Sequence, residues 1–426
     1  DGTIPWPAPA VLGHEGAGVV EAVGSAVTNV RPGDHVVLTT LANCGMCKWC
    51  NTGRPTWCRA SMGNPSQTFT LDGRPAWNFA AASFFTEYTV VQAIQCVPIP
   101  RDIPLTSACL IGCGVLTGVG SVWNRANVQR GQTAAVFGVG GVGLNVIQAL
   151  RIAGASRIVA VDTVASKEQL ARSFGATDFV DASTGDVVGA VRRLLPFDHE
   201  RVEGTFGAGG VDWAFECVGN PAVLRAAIDV LDWGGTAMAV GVPARRATVE
   251  VPITFFTHVD RNLVGCRAGS EQPHKDVPLI IDMYRRGVLK LDELVSATYP
   301  LERFDDAVQG PWRANHRVMG VRYSHTGQVV RDLARSEHFY AGALGFEKVF
   351  ELTVEGDHPA RLLRLPGEVR MRAVYLRRDG LVLELMEFAT PALVEPDRTP
   401  VMNEPGLTHI SLVVDDLDAA CAAVEA

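Results

Sequence analysis

The chain has 426 residues, enough for two or three domains that each bury a core. Hydrophobic residues make up 47% and charged residues 20%, which excludes a disordered or collagen-like polymer. Lys+Arg of 38 against Asp+Glu of 46 gives a net charge of −8, and no Lys/Arg-rich run stands out, so the sequence offers no footprint for nucleic acid or a membrane surface. No apolar run reaches the roughly 18 residues of a membrane-spanning helix, and the opening residues lack the blocks of a signal peptide, so a cytoplasmic location is expected. The chain opens without Met and stops in what reads as mid-helix, and it is expected to be a piece of a longer protein.

Near the start, Gly13-His14-Glu15-Gly16 precedes a strand-like AGVVEAVG and the turn Arg31-Pro32-Gly33-Asp34. Taken alone, His14 reads more readily as a packed or solvated residue than as a ligand. Four of the ten cysteines then bunch together: Cys44, Cys47, Cys50 and Cys58 spell C-x2-C-x2-C-x7-C. Thiolates this close in sequence can close on one tetrahedral zinc, with Gly45, Gly53 and Pro55 supplying the reversals. An iron–sulfur cluster also takes four cysteines but uses other spacings, and free thiols in a surface loop are the plain alternative. A zinc held this way is structural and does no chemistry.

Phe79, Phe84 and Phe85 follow, equally readable as a cleft lining or as core aromatics. Cys113, in Leu110-Ile111-Gly112-Cys113-Gly114, is by itself a small buried hydrophobe. The apolar run Thr133–Val139 predicts a strand, and it leads into Gly138-Val139-Gly140-Gly141-Val142-Gly143. Val142, Val146, Ala149, Leu150 and Ala153 have helical spacing, and Gly154 closes the helix. A second strand, Arg157–Val161, ends at Asp162. Strand, glycine turn, helix, strand and acid form a dinucleotide fingerprint, the other reading being an ordinary tight turn. Gly138, Gly140 and Gly143 let backbone approach a pyrophosphate at the helix N-terminus. Asp162 would accept from a ribose hydroxyl and repel a 2′-phosphate, favouring NAD over NADP. Further strands are predicted to end at Glu216 and Gly241.

The pattern changes at about residue 322, with no Gly/Ser/Pro linker. A strand around His325, a helix over Leu333–Ala343, and strands over Glu347–Val354, Met371–Leu376 and Leu381–Phe388 make one βαβββ pass, with Asp379-Gly380 as a hairpin turn. The opening repeats from Thr408-His409, so two passes of one plan are present, the second cut short.

Together, the motifs of residues 1–321 resemble the zinc-containing medium-chain alcohol dehydrogenases. The resemblance implies an α/β fold: a GroES-like β-rich catalytic lobe over 1–114 that resumes at about 267–321, and a doubly wound Rossmann domain over 115–266. It implies that His14 and Cys113 ligate a catalytic zinc, with Glu15 beside the metal, and that Cys44, Cys47, Cys50 and Cys58 hold the structural one. Thr117, Val142, Lys167, Val218 and Val242 fall where the family contacts NAD, and Arg317 where an arginine meets the pyrophosphate. The implied reaction is hydride transfer from an alcohol or aldehyde adduct to NAD, zinc polarising the substrate oxygen. Cysteine at position 113 is similar to the alcohol-dehydrogenase branch, and Trp77–Val91 to the long-chain and glutathione-linked aldehyde classes. Small-molecule alcohols or aldehydes are the implied partners, and a dimer or tetramer the implied assembly. The family's first catalytic ligand, a Cys upstream of the Gly-His-Glu motif, has no counterpart in this sequence. A chain that binds zinc and NAD without turnover is therefore the second reading.

Residues 322–426 resemble the vicinal oxygen chelate superfamily of glyoxalases, dioxygenases and drug-binding resistance proteins. His325, Glu384 and His409 match three of that superfamily's four divalent-metal positions, and the fourth would fall after Ala426. Such a site suits Fe(II), Mn, Ni or Zn, although some members bind small molecules without metal.

Overall fold

The computed structural model describes residues 6–61, 66–183, 185–195, 209–308, 326–356, 368–378 and 381–390. The chain divides into two compact units, Asp1–Ala307 and Val308–Ala426.

The first unit opens with a β-rich lobe built from β1 (Ala10–Val11), β2 (Gly16–Val19), β3 (His35–Leu38), β4 (Phe69–Leu71), β5 (Arg74–Asn78) and β6 (Cys96–Ile99). Two three-stranded sheets result, ordered β1-β5-β4 and β2-β3-β6. Only the first part of the AGVVEAVG run is strand. The turn before β3 returns the chain so that Gly16 pairs with Leu38 and Val19 with His35. Val30, Val36 and Cys96 bury a small core beneath this hairpin.

A parallel sheet follows: β7 (Thr133–Phe137), β8 (Arg157–Asp162), β9 (Asp178–Asp181), β10 (Val211–Glu216), β11 (Leu231–Ala239) and β12 (Asn262–Gly265). Its order, β12-β11-β10-β7-β8-β9, steps outward from β7 to one edge and then restarts at β10 toward the other. That reversal makes β7/β10 the switch point, where α/β sheets bind ligands at the strand ends. The sheet is covered on both faces, which explains why β7 and β8 are near-continuous Val, Ala and Ile runs with almost every residue buried. The helix Gly141–Ala153 buries Leu144, Val146, Ile147, Ala149 and Leu150 and ends, as the sequence predicts, on a left-handed Gly154. It can start so close to the turn because residue 143 has no side chain: a Cβ there would lie 1.8 Å from the Gly138 carbonyl oxygen.

No single helix among the described residues is long and apolar enough to cross a membrane. One bent apolar pair, Leu105–Gly112 and Gly114–Ala126, contributes Ala108, Ile111, Val115, Leu116, Val119 and Val122 to the buried core.

The second unit carries β13 (Thr326–Val329), β14 (Glu347–Gly356), β15 (Val369–Arg378) and β16 (Leu381–Thr390) in the order β13-β16-β15-β14. β13 is parallel to β16 and the other pairs are antiparallel, so a βαβββ pass is present. The helix Leu333–His338 packs through Leu333 against Val374, Leu376, Leu383 and Leu385. Alternate strand positions form a second apolar cluster with Val354, Met371, Met386 and Phe388. The second pass from Thr408 and the Asp379-Gly380 turn lie outside the described residues.

Candidate functional site

The four bunched cysteines converge. Their sulfur atoms lie within 4.8 Å of one another, a spacing that suits one tetrahedral ion. Cys44 and Cys58 sulfurs are 3.6 Å apart, as are those of Cys47 and Cys50. The Cys44 N–H donates to the Cys58 sulfur and the Asn43 amide to the Cys50 sulfur, each at 3.5 Å. Backbone N–H groups of Met46 and Cys47 are the main reason that the Cys44 thiol is lowered to about 6. Backbone donors lower Cys47 as well, whereas burial raises Cys50. Zinc fits here.

The Gly-His-Glu and Gly-Cys-Gly segments meet, although they are far apart in sequence. The Gly114 N–H donates to Glu15 Oε1 at 2.9 Å, which ties the neighbour of His14 to the neighbour of Cys113. Close backbone approach fixes Cys113: a Cβ on Gly112 would sit 2.1 Å from the Leu38 carbonyl oxygen of β3. Phe79 presents its ring to His14 edge-on at 6.2 Å, whereas Phe84 packs on Gly16 and Phe85 on Phe304. Phe85 also lies against Gly13, so all three phenylalanines border the Gly-His-Glu segment, and Phe79 is the one in ring contact with His14. Burial pushes the Cys113 thiol up to about 12, and the carboxylates of Glu15 and Glu271 add to the effect. Imidazole, thiol and carboxylate form a donor set of the right type for zinc. Among the described residues, however, the four cysteines are the only group of three or more such side chains drawn within 4.8 Å. His14, Glu15 and Cys113 are neighbours in a looser arrangement.

The dinucleotide fingerprint forms as a unit. Asp162 ends β8 almost wholly buried and accepts from the Val139 N–H at 2.8 Å and the Val164 N–H at 3.0 Å, so it braces the glycine turn. Lys167 bonds the same carboxylate at 3.0 Å. The helix after Gly140 has no side-chain cap, and a Cβ on Gly140 or Gly141 would meet no protein atom. Open backbone donors over an empty cradle fit a pyrophosphate. Thr117 follows Cys113 by one helical turn, its N–H donating to the Cys113 carbonyl at 2.8 Å. Gly118 lies against the Val142 carbonyl, so the helices holding Thr117 and Val142 touch. Val218 packs against Gly138, and Val242 is 70% exposed at the end of β11.

The sequence predicts crevice contacts at the strand end that Glu216 forms, but not the bracing role of its side chain. Its buried carboxylate accepts from the N–H groups of Val218 and Gly219 at 2.8 and 2.7 Å, which fixes the loop that carries Val218. An acid at a strand end was the available signal. Glu271 and Arg267, discussed below, belong to no motif. Arg317, His325 and His409 lie outside the described residues. Glu384 is buried on β16, opposite Tyr375 of β15, whose hydroxyl donates to its carboxylate. Burial and the Glu384 charge push that phenol up to about 12.

Comparison with known proteins gives the class that this fold and site define. Residues 1–101 match the alcohol dehydrogenase GroES-like domain, 141–285 the zinc-binding dehydrogenase family, and 322–426 the glyoxalase/bleomycin resistance protein/dioxygenase superfamily. The chain is 37% identical over 310 residues to the class-3 alcohol dehydrogenase of Zea mays, covering 70% of this chain and 78% of that protein. It is 38% identical over 308 residues to a probable S-(hydroxymethyl)glutathione dehydrogenase of Schizosaccharomyces pombe, covering 70% and 78%. Benzyl alcohol dehydrogenase from Acinetobacter calcoaceticus is similar in structure, with a TM-score of 0.66, 32% identity, and coverage of 74% of this chain and 84% of that one. The chain belongs to the zinc-containing alcohol dehydrogenases and carries a glyoxalase-like module after them. It is an NAD-dependent, zinc-dependent oxidoreductase acting on an alcohol.

Proposed function

We propose that the substrate is an apolar primary alcohol of benzylic type, oxidised at a metal held by His14 and Cys113 with Glu15 beside it. The observation that carries this reading is the Phe79 ring set edge-on to His14, which places an aromatic wall next to a candidate ligand. Zinc bound there supplies Lewis-acid polarisation of the substrate oxygen. Glu15 fixes the Gly-His-Glu segment against Cys113 through the Gly114 N–H. The glycine turn seats the pyrophosphate, Asp162 accepts from the ribose hydroxyls, and Thr117, Val142, Val218 and Val242 border the path of the nicotinamide end. Arg317 would add its charge at the pyrophosphate. Support for a dimer or tetramer comes from the family alone, and light scattering of the purified chain checks it.

The test is metal content per chain, measured with NAD-dependent oxidation of benzyl alcohol, ethanol and S-(hydroxymethyl)glutathione by the same preparation. Two zincs with benzyl alcohol as the preferred substrate support the proposal. One zinc that disappears in Cys47→Ser, with no turnover, overturns it and leaves the chain as a zinc- and NAD-binding remnant.

For the second unit we propose divalent-metal or small-molecule binding at Glu384, with His325 and His409 as partners. Its support is the buried Glu384 carboxylate, which accepts from the Tyr375 hydroxyl on the facing strand. Mn(II) or Ni(II) that raises the thermal midpoint of the parent but not of Glu384→Gln favours the metal. Equal shifts dismiss it.

A further inference from the structure

Outside the motifs, the first unit buries an acid without a partner. Glu271 is 1% exposed, and neither carboxylate oxygen has a hydrogen-bond partner among the described residues. It closes a turn in which Ala268, Gly269 and Ser270 all have positive φ, at 46°, 61° and 50°. Non-glycine residues hold that conformation only where the surroundings impose it.

The surroundings here are the two candidate zinc regions. On one side Gly269 packs its backbone on Leu116 and Thr117, in the helix that starts directly after Cys113; a Cβ on Gly269 would lie 2.2 Å from the Leu116 carbonyl oxygen. On the other side Arg267 donates to the Ser61 hydroxyl at 2.7 Å and to the Thr56 carbonyl, and Gln272 lies beside Gly53 of the cysteine lobe. The turn is wedged between them with Glu271 inside.

The charges around it do not balance. Burial, with Asp276 adding to it and Arg267 opposing it, raises the Glu271 carboxyl well above the usual carboxylate range. Asp276 is occupied by the Asn124 amide and the Gln272 N–H. Arg267 is the opposing charge nearby, and its guanidinium is engaged by Thr56 and Ser61. Burial of a carboxylate with no partner is costly unless a cation joins it.

We propose that Glu271 is a counter-charge for the metal held at Cys113, a positioning carboxylate additional to His14, Glu15 and Cys113. This rests on the reading that Cys113 holds a metal. Glu271 acts through the field or a bridging water, as outer carboxylates around metal sites do.

Zinc titration of the full chain against a competing chelator tests this, together with the visible absorption of the cobalt(II)-substituted protein. Glu271→Gln keeps the shape without the charge. It is expected to retain the zinc of the cysteine lobe and to bind the second metal about 10- to 100-fold more weakly. Its metal-free thermal midpoint should be no lower than the parent's, while the rise on adding zinc shrinks. Glu271→Asp keeps the charge and is expected to stay within about threefold of the parent; a loss equal to that of the Gln variant overturns a charge role. Parent affinity in Glu271→Gln, with the second metal lost in Cys113→Ser, overturns the inference alone. A second metal that survives Cys113→Ser removes both the inference and the Cys113 reading beneath it.

Discussion

Asp162 does two jobs at one carboxylate. It braces the Val139 N–H of the glycine turn, and it is proposed to accept from a ribose hydroxyl. Asp162→Asn keeps the volume and one acceptor oxygen while removing the charge. Losing a charged hydrogen bond is worth about 1.5–3 kcal/mol, so NADH affinity should fall about ten- to hundredfold. Discrimination against NADPH should fall with it, because the carboxylate no longer repels a 2′-phosphate and Lys167 is freed from its ion pair. Fluorescence titration with both nucleotides checks this, and unchanged NADH affinity would assign Asp162 to the turn alone.

A second residue of the same sheet sets a pH dependence. Arg157 grips Asp178 through two bonds of 2.8 and 3.0 Å, and this holds the Asp178 carboxyl below its usual range. A lowered acid stabilises the fold above its unfolded pKa of about 3.9, and that contribution is lost as pH falls through the folded value. Asp178→Asn should cost the first unit about 1 kcal/mol near neutral pH, the upper end for a partly exposed pair. Parent and variant should converge below pH about 4. Urea unfolding followed at a series of pH values measures the gap; a constant offset across that range refutes the assignment. Glu216 works in the opposite sense: burial raises it, so its contribution is full below its unfolded pKa and declines as pH rises through the folded one.

At the scale of elements, what could be read in the sequence follows sequence distance. The cysteine lobe and the β7–turn–helix–β8 unit are each assembled from neighbours along the chain, so spacing alone carried their chemistry. Glu271 is different: its surroundings come from Thr56, Ser61, Cys113 and Leu116, which only the fold brings to residue 271. No periodicity or motif marks such a position. His14 is an intermediate case, ordinary by itself and informative once Glu15 is seen bonded to Gly114. The glycine turn offers a paired test of this local logic. Gly143→Ala would force a Cβ to 1.8 Å from the Gly138 carbonyl, and overpacking of this kind costs about 1–3 kcal/mol. Gly141→Ala meets no protein atom and adds a better helix former, so it should stabilise the protein by up to about 1 kcal/mol. Both should weaken NADH binding, the first through a displaced helix and the second through a methyl group in the cradle. Chemical unfolding and nucleotide titration on the same two variants separate the causes. A Gly141→Ala protein that binds NADH as the parent does would move the pyrophosphate away from this turn.

The whole molecule joins two units that fold around separate cores, one centred on the parallel sheet and one on the βαβββ sheet. Separate cores imply separable stability, because a ligand stabilises only the unit whose native state it binds. At a hundred times its Kd, NAD should stabilise the first unit by about 2.7 kcal/mol, which for a unit of this size raises its thermal midpoint by about 4 °C. The transition of the second unit should not move. Zinc removal by a strong chelator should lower the first transition, since the cysteine lobe and the Cys113 region both lie in that unit, and leave the second where it was. Manganese or nickel should do the reverse if Glu384 belongs to a metal site. Differential scanning calorimetry of the full chain, with and without each addition, reads all of these shifts in one instrument. A single transition that NAD and manganese both displace would mean that the two units unfold as one body, and the module after residue 322 would then have to be counted among the determinants of dehydrogenase stability.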